Sequence, residues 1–277
     1  MVCSAEVILM VDFMAYPFMQ RALVAGLLLS ALSGYYGVFL VQRKLSFLGA
    51  GLGHAAFGGI ALGLLLGIQP LWIALPFTVV VAAGISWVKS HTKLSGDTAI
   101  GIFFSVSVAL GILFLSLKSG QQVDAFSYLF GSILSVGNTD VWISACLALV
   151  GIVTLKTHWA AWAYASFDEE AARIEGLSVR GHDTLLTVLI AITIVLSVKI
   201  VGILLVAAWM VIPAAAGRLL APTFKAMTLS AIAFSAFSAV LGLYLSYLLD
   251  LPSGAVIVLV QSALFIFAVV LQRSWSK

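Results

Sequence analysis

Charge is scarce in this sequence. Of 277 residues, 14 are Lys or Arg and 11 are Asp or Glu, 9% in all, against 62% hydrophobic. A soluble domain carries about 25% charged residues, so an ordinary soluble fold is excluded. Cysteine is nearly missing. Cys3 and Cys146 stand far apart with no CxxC pair, which argues against a disulfide framework and a thiolate metal site. There is no GxxxxGK(S/T), hence no phosphate-cradling loop in this chain. HExxH and paired aspartates within the apolar runs are also missing, which disfavours an intramembrane hydrolase. The apolar runs do not alternate with polar residues, as a membrane β-barrel would require. The first run lacks the basic start and small-residue cleavage site of a signal peptide and reads as a retained helix. The net charge of +3 requires no nucleic-acid partner.

What remains is long apolar runs. A membrane helix needs roughly 20 mostly apolar residues, and nine spans are expected: Tyr16–Val41, Ser46–Leu66, Leu71–Val88, Asp97–Leu117, Val141–Thr157, Asp183–Val198, Val201–Leu219, Ala226–Leu248 and Ser253–Leu271. The fold class is thus all-α, a polytopic bundle of about eight or nine membrane helices, with residues 1–277 as one domain. Val201–Leu219 follows its predecessor after almost no loop and contains Pro213 and Gly217, so a broken or re-entrant helix is an open alternative there. With the N-terminus outside, only Arg21, Lys118 and Lys199 lie near the outer face, and the other Lys and Arg residues fall inside. The positive-inside rule therefore predicts N-terminus out and C-terminus in.

Two polar segments interrupt the spans. Lys118–Asp140 lies outside, and its apolar middle, Phe126–Val136, is too short to cross but suited to dip into the membrane surface. His158–Asp183 lies inside. There Asp168, Glu169 and Glu170 open a short helix, where the helix dipole favours negative charge, and Gly176 is placed to end it. This segment contains EAARIEG, Glu170–Gly176.

One ionisable residue sits in the middle of an apolar run, in LSFLGAGLGHAAFGGIALGLLLG (Leu45–Gly67). Residues four apart share a helix face, so His54 is bordered by Ala50 and Gly58. Gly49 with Gly53, Gly59 with Gly63, and Gly63 with Gly67 form steps that let helices approach closely. This helix is expected inside the bundle. A full charge there costs roughly 2.5–3.5 kcal/mol or more, whereas a neutral imidazole costs less and can ligate a divalent ion. Either that role or a packing hydrogen bond fits His54.

EAAxxxG in the longest inside segment resembles the coupling motif of ATP-binding-cassette importer permeases. The blocks RKLSFLGAGLGHAAFGG (Arg43–Gly59), DTAIGIFFS (Asp97–Ser105), YLFGSILSV (Tyr128–Val136), VGILLVAAWMVIPAAAGRLL (Val201–Leu220) and LDLPSGAVIVL (Leu249–Leu259) extend this to the metal-type importers. The chain is similar to that family over nearly its whole length. The resemblance implies a permease subunit for zinc, manganese or iron, in the bacterial inner membrane, with a type II importer fold shared with the vitamin B12 and siderophore permeases. It implies a second permease subunit (a homodimer), cytoplasmic ATPase subunits that bind the ATP, and an extracytoplasmic metal-binding protein. It makes Glu170, Ala171, Ala172 and Gly176 ATPase-coupling residues within a coupling segment at about 160–182, and His54 a residue of the metal pathway. Many members carry an aspartate where Ala50 stands, so the carboxylate of a carboxylate–imidazole pair is missing here.

The other polar residues have plainer expectations. Asp97 is expected to cap a helix start. Asp124 is a solvated loop acid or an outer-face contact. His91, His158 and His182 read as surface groups. Pro213 should kink its helix, for gating or packing. Arg43, Lys44 and Arg218 read as topology anchors near the inner leaflet, and Trp72, Trp142 and Trp209 as interface anchors. Two alternatives compete: a secondary transporter, which usually shows buried carboxylates and repeats, and a permease of the same architecture for a metal chelate.

Overall fold

The apolar runs fold as the helices their composition requires, because a backbone in lipid must satisfy its own polar groups. A computed structural model describes residues 16–118, 126–132 and 135–275. The helices are α1 (Pro17–Gln42), α2 (Phe47–Leu66), α3 (Pro70–His91), α4 (Gly96–Leu117), α5 (Phe126–Phe130), α6 (Asn138–Thr157), α7 (Trp159–Phe167), α8 (Glu169–Ile174), α9 (Val179–Val201), α10 (Val206–Leu220), α11 (Phe224–Leu249) and α12 (Ser253–Trp275). No strand occurs among the described residues.

Among the described residues, eight helices are long and apolar enough to cross a membrane. The expected ninth span is shorter than the rest. α10 has 15 residues, about 22 Å at 1.5 Å per residue, and starts at Val206, not Val201. The break has a local cause. Gly202 adopts φ +87°, and a Cβ there would lie 2.4 Å from the Leu129 carbonyl oxygen. The amides of Ile203 and Leu204 donate to the carbonyls of Tyr128 and Leu129 at 3.0 and 3.3 Å, and Ser132 N donates to Lys199 O at 2.7 Å. The apolar segment expected to dip into the membrane thus supplies partners to the broken backbone. α10 returns to the end of the bundle where α1 finishes, since Arg218 Nη1 donates to Val41 O at 3.4 Å.

α1, α2 and α9 form the centre and are the most buried of the long helices. α1 packs against α6, α9, α10 and α11, while α2 is held by α3, α4, α9 and α10. The outer helices turn apolar side chains outward, among them Val80, Ile112, Trp142, Leu229 and Leu259. That is the pattern of a lipid-covered bundle. Trp72 and Trp142 are exposed as expected, but Trp209 is fully buried and belongs to the core. Asp97 is in the first turn of α4 and does not cap it; Ser95 Oγ does, accepting from Thr98 N at 3.2 Å. The smaller hydroxyl reaches the free amide from the extended N-cap position.

Candidate functional site

α2 explains the setting of His54. Its glycines seat it against three neighbours. A Cβ at Gly49 would lie 3.2 Å from Ala207 Cα, one at Gly58 would lie 2.7 Å from the Ser107 carbonyl oxygen, and one at Gly59 would lie 2.5 Å from Ala74 Cα. So α10, α4 and α3 each approach where side chains are missing. What stays open is a single stripe, Phe47, Ala50, His54 and Phe57, the incompletely buried positions along the first three turns of α2. The expected interior placement holds, with one face left uncovered. Ala50 and His54 share that face, and Gly58 is buried beneath α4.

His54 is tied to its own helix. Its Nδ1 lies 2.9 Å from the Ala50 carbonyl oxygen, which can only accept, so Nδ1 carries the proton and Nε2 keeps its lone pair. The ring meets Phe104 of α4 with centroids 4.5 Å apart. A histidine whose second nitrogen donates to a carbonyl is the arrangement of an oriented metal ligand. Ala50 offers no carboxylate, but its backbone oxygen orients the imidazole. Among the described residues no group of three or more His, Cys, Asp or Glu side chains could hold a metal ion. Asp124 lies outside the described residues.

The polar segment between α6 and α9 folds as two short helices, α7 and α8. α7 was not foreseen as a separate helix. Asp168 caps α8, its Oδ1 accepting from Ala171 N at 2.9 Å, and Glu169 pairs with Arg173 at 2.7 Å. Gly176, at φ +87°, ends α8 as expected, with Gly176 N and Leu177 N donating to the carbonyls of Arg173 and Ala172 at 3.2 and 3.0 Å. Ala172 is fully buried with Ala165 and Val179, so it anchors the helix inward, while Glu170 and Gly176 are exposed and Ala171 is half-buried. Ile174, 83% exposed, was not singled out in the sequence. An isolated apolar side chain on a polar helix is its only signal.

Aromatic and ionic contacts join this segment to the membrane helices. Trp162 is fully buried and meets Phe39 of α1 edge-on at 5.7 Å. Phe224 at the start of α11 meets Phe39, Trp159 and Phe167 at 5.6, 5.8 and 5.4 Å. Arg43 is not a free anchor. It pairs with Asp183 and donates to Ser166 Oγ at 2.7 Å and Trp162 O at 3.3 Å. Lys89 of α3 reaches the other carboxylate oxygen of Asp183 at 3.1 Å. Asp183 thus links the ends of α1 and α3 to the start of α9, and through Arg43 to α7. Ion pairing holds these long side chains in place, where an unpartnered cation would extend to water. His91 is exposed as expected, whereas His158 and His182 face each other, with centroids 5.5 Å apart. At the other end of the bundle Lys199 pairs with Asp140 at 2.8 Å.

Comparisons agree with this architecture. The model of the ABC 3 transport family matches residues 15–272. The manganese transport system membrane protein MntC of Listeria innocua is 35% identical over 255 residues, 92% of this chain and 91% of its own length. The high-affinity zinc uptake system membrane protein ZnuB of Haemophilus influenzae is 33% identical over 247 residues, covering 89% of this chain and 95% of its own. Among solved structures, PsaBC from Streptococcus pneumoniae in complex with Fab superimposes with a TM-score of 0.83 at 30% identity, over 97% of this chain and 95% of that one. An all-helical membrane bundle carrying this block order, matched from end to end at these identities, belongs to the ABC 3 transport family.

Proposed function

We propose that this chain is the membrane permease subunit of an ATP-driven importer for a divalent transition metal ion, manganese or zinc before iron. It is a conduit and not an enzyme, and ATP is hydrolysed on separate cytoplasmic subunits that dock on Glu170, Ala171 and Gly176 beside Ile174, over the buried anchor Ala172. It sits in the bacterial inner membrane with the N-terminus outside and the C-terminus in the cytoplasm. The clustering of Arg43, Lys89, Arg180 and Arg218 at the lever end supports that orientation.

The observation that carries this reading is the open stripe on α2. A helix clasped on its other faces leaves only partly covered the one carrying a histidine with a free Nε2 lone pair. A second copy of the permease covers that stripe and completes a central path. One imidazole per chain makes a weak site, which suits transit, since an ion must leave as readily as it binds. Asp124 and the outer segment meet the metal-binding protein that delivers the ion. Pro213 loosens α10 beside the path.

The test is uptake of radioactive manganese and zinc by vesicles containing the permease with its ATPase and binding protein. His54→Ala should cut uptake at least tenfold while the complex still assembles. Full uptake with unchanged kinetics would assign His54 to packing alone.

A further inference from the structure

The inside segment carries a pair of histidines that the transport path does not use. His158 stands immediately before α7, and His182 lies in the first turn of α9, so the two bracket the lever, residues 159–181. Folding brings their rings to a centroid separation of 5.5 Å with planes 49° apart. Trp162 holds both: its ring lies 5.5 Å from that of His158, and its Nε1 donates to His182 O at 3.0 Å.

The tautomer of each ring follows from its neighbours. His182 Nδ1 is 3.0 Å from the Ser178 carbonyl oxygen, an acceptor only, so Nδ1 donates. The Thr157 hydroxyl donates to Val153 O at 2.8 Å, so its oxygen accepts from His158 Nδ1 at 2.6 Å. Both rings therefore keep their Nε2 lone pairs, and both have the second nitrogen tied to an oxygen, as metal-binding histidines do. The spacing also fits. A zinc–nitrogen bond of about 2.1 Å puts each ring centroid roughly 3.2 Å from the ion, and centroids 5.5 Å apart then subtend an angle of roughly 120°, close to that of a four-coordinate zinc. The nearby Arg43 charge is met by Asp183.

We infer that His158 and His182 form a divalent-metal site, with water completing the coordination, that staples the two ends of the lever on the side where cargo is released. An ion bound there joins α7 to α9 and restrains the segment between them. The inference deepens the transport reading, but the site is defined by these residues alone.

The test uses the purified full-length permease in detergent and zinc as the probe, read by titration calorimetry and by amide hydrogen exchange. Zinc should bind the wild type. His158→Gln and His182→Gln should each weaken binding at least tenfold. Zinc should slow exchange across residues 159–181 in the wild type and not in either Gln variant. His158→Cys restores a zinc ligand and should recover binding, which separates loss of the site from misfolding. No zinc bound by the wild type, or wild-type affinity in both Gln variants, would overturn the site. Because no transport is measured, a permease that carried another cargo would leave this outcome intact.

Discussion

Gln261 on α12 donates from its Nε2 to the carbonyl oxygen of Trp209 on α10 at 3.4 Å. That carbonyl needs an outside donor because Pro213, four residues on, has no N–H to give it. Gln261 is buried, and its Oε1 and the Trp209 Nε1 are buried without partners among the described residues. A backbone acceptor that proline leaves without its helical donor is thus met by a polar side chain from another helix.

A double-mutant cycle measures that contact. Gln261→Leu should lower stability by about 1–2 kcal/mol, the cost of stranding a buried acceptor. In a Pro213→Ala background, residue 213 regains an amide for the Trp209 carbonyl, and the same change should cost less than half as much. Denaturant unfolding in micelles reads both. Equal costs in the two backgrounds would remove the coupling.

Asp183 stands between two cations. Asp183→Asn leaves Arg43 and Lys89 without their shared counter-charge and should destabilise the chain by about 3 kcal/mol. Removing both cations as well, with Arg43→Gln and Lys89→Gln, should recover at least half of that loss. The readout is thermal unfolding followed by size-exclusion chromatography.

Ile174 and Gly176 separate docking from folding. Ile174→Ser touches only an exposed side chain, so it should leave the melting temperature unchanged and weaken ATPase association at least tenfold. Gly176→Ala meets nothing within 4 Å, yet φ is +87°, so its cost of roughly 1–2 kcal/mol is backbone strain alone. Hydrogen exchange in α8 should accelerate in the second variant and not in the first.

Ala50→Asp places a carboxylate one turn before His54 on the open face of α2. Zinc affinity should rise at least tenfold and maximal uptake should fall, because a tighter site releases its ion more slowly. Binding titration and transport rates on the same preparation read both effects.

The helices were legible because their cause is local. A run of about 20 apolar residues satisfies its own backbone only as a helix, and α2, α4 and α12 begin within one residue of their expected positions. The cap at Gly176 was legible for the same reason. Residues whose roles depend on distant partners were not. Nothing near Trp209 tells that it is core and not interface, and nothing near Arg43 tells of Asp183, 140 positions away. The separate helix α7 was hidden inside a segment read as one hydrophilic stretch.

Composition and order along the chain therefore determined a helical membrane bundle with a basic end, a short polar helix on that end and a histidine within α2. The tertiary structure alone decided which face of α2 stays open, how the break before α10 is satisfied by α5, and that His158 meets His182. The division is physical. Hydropathy and capping act between residues a few positions apart, whereas pairing across the bundle depends on how helices pack, which no short stretch of sequence encodes.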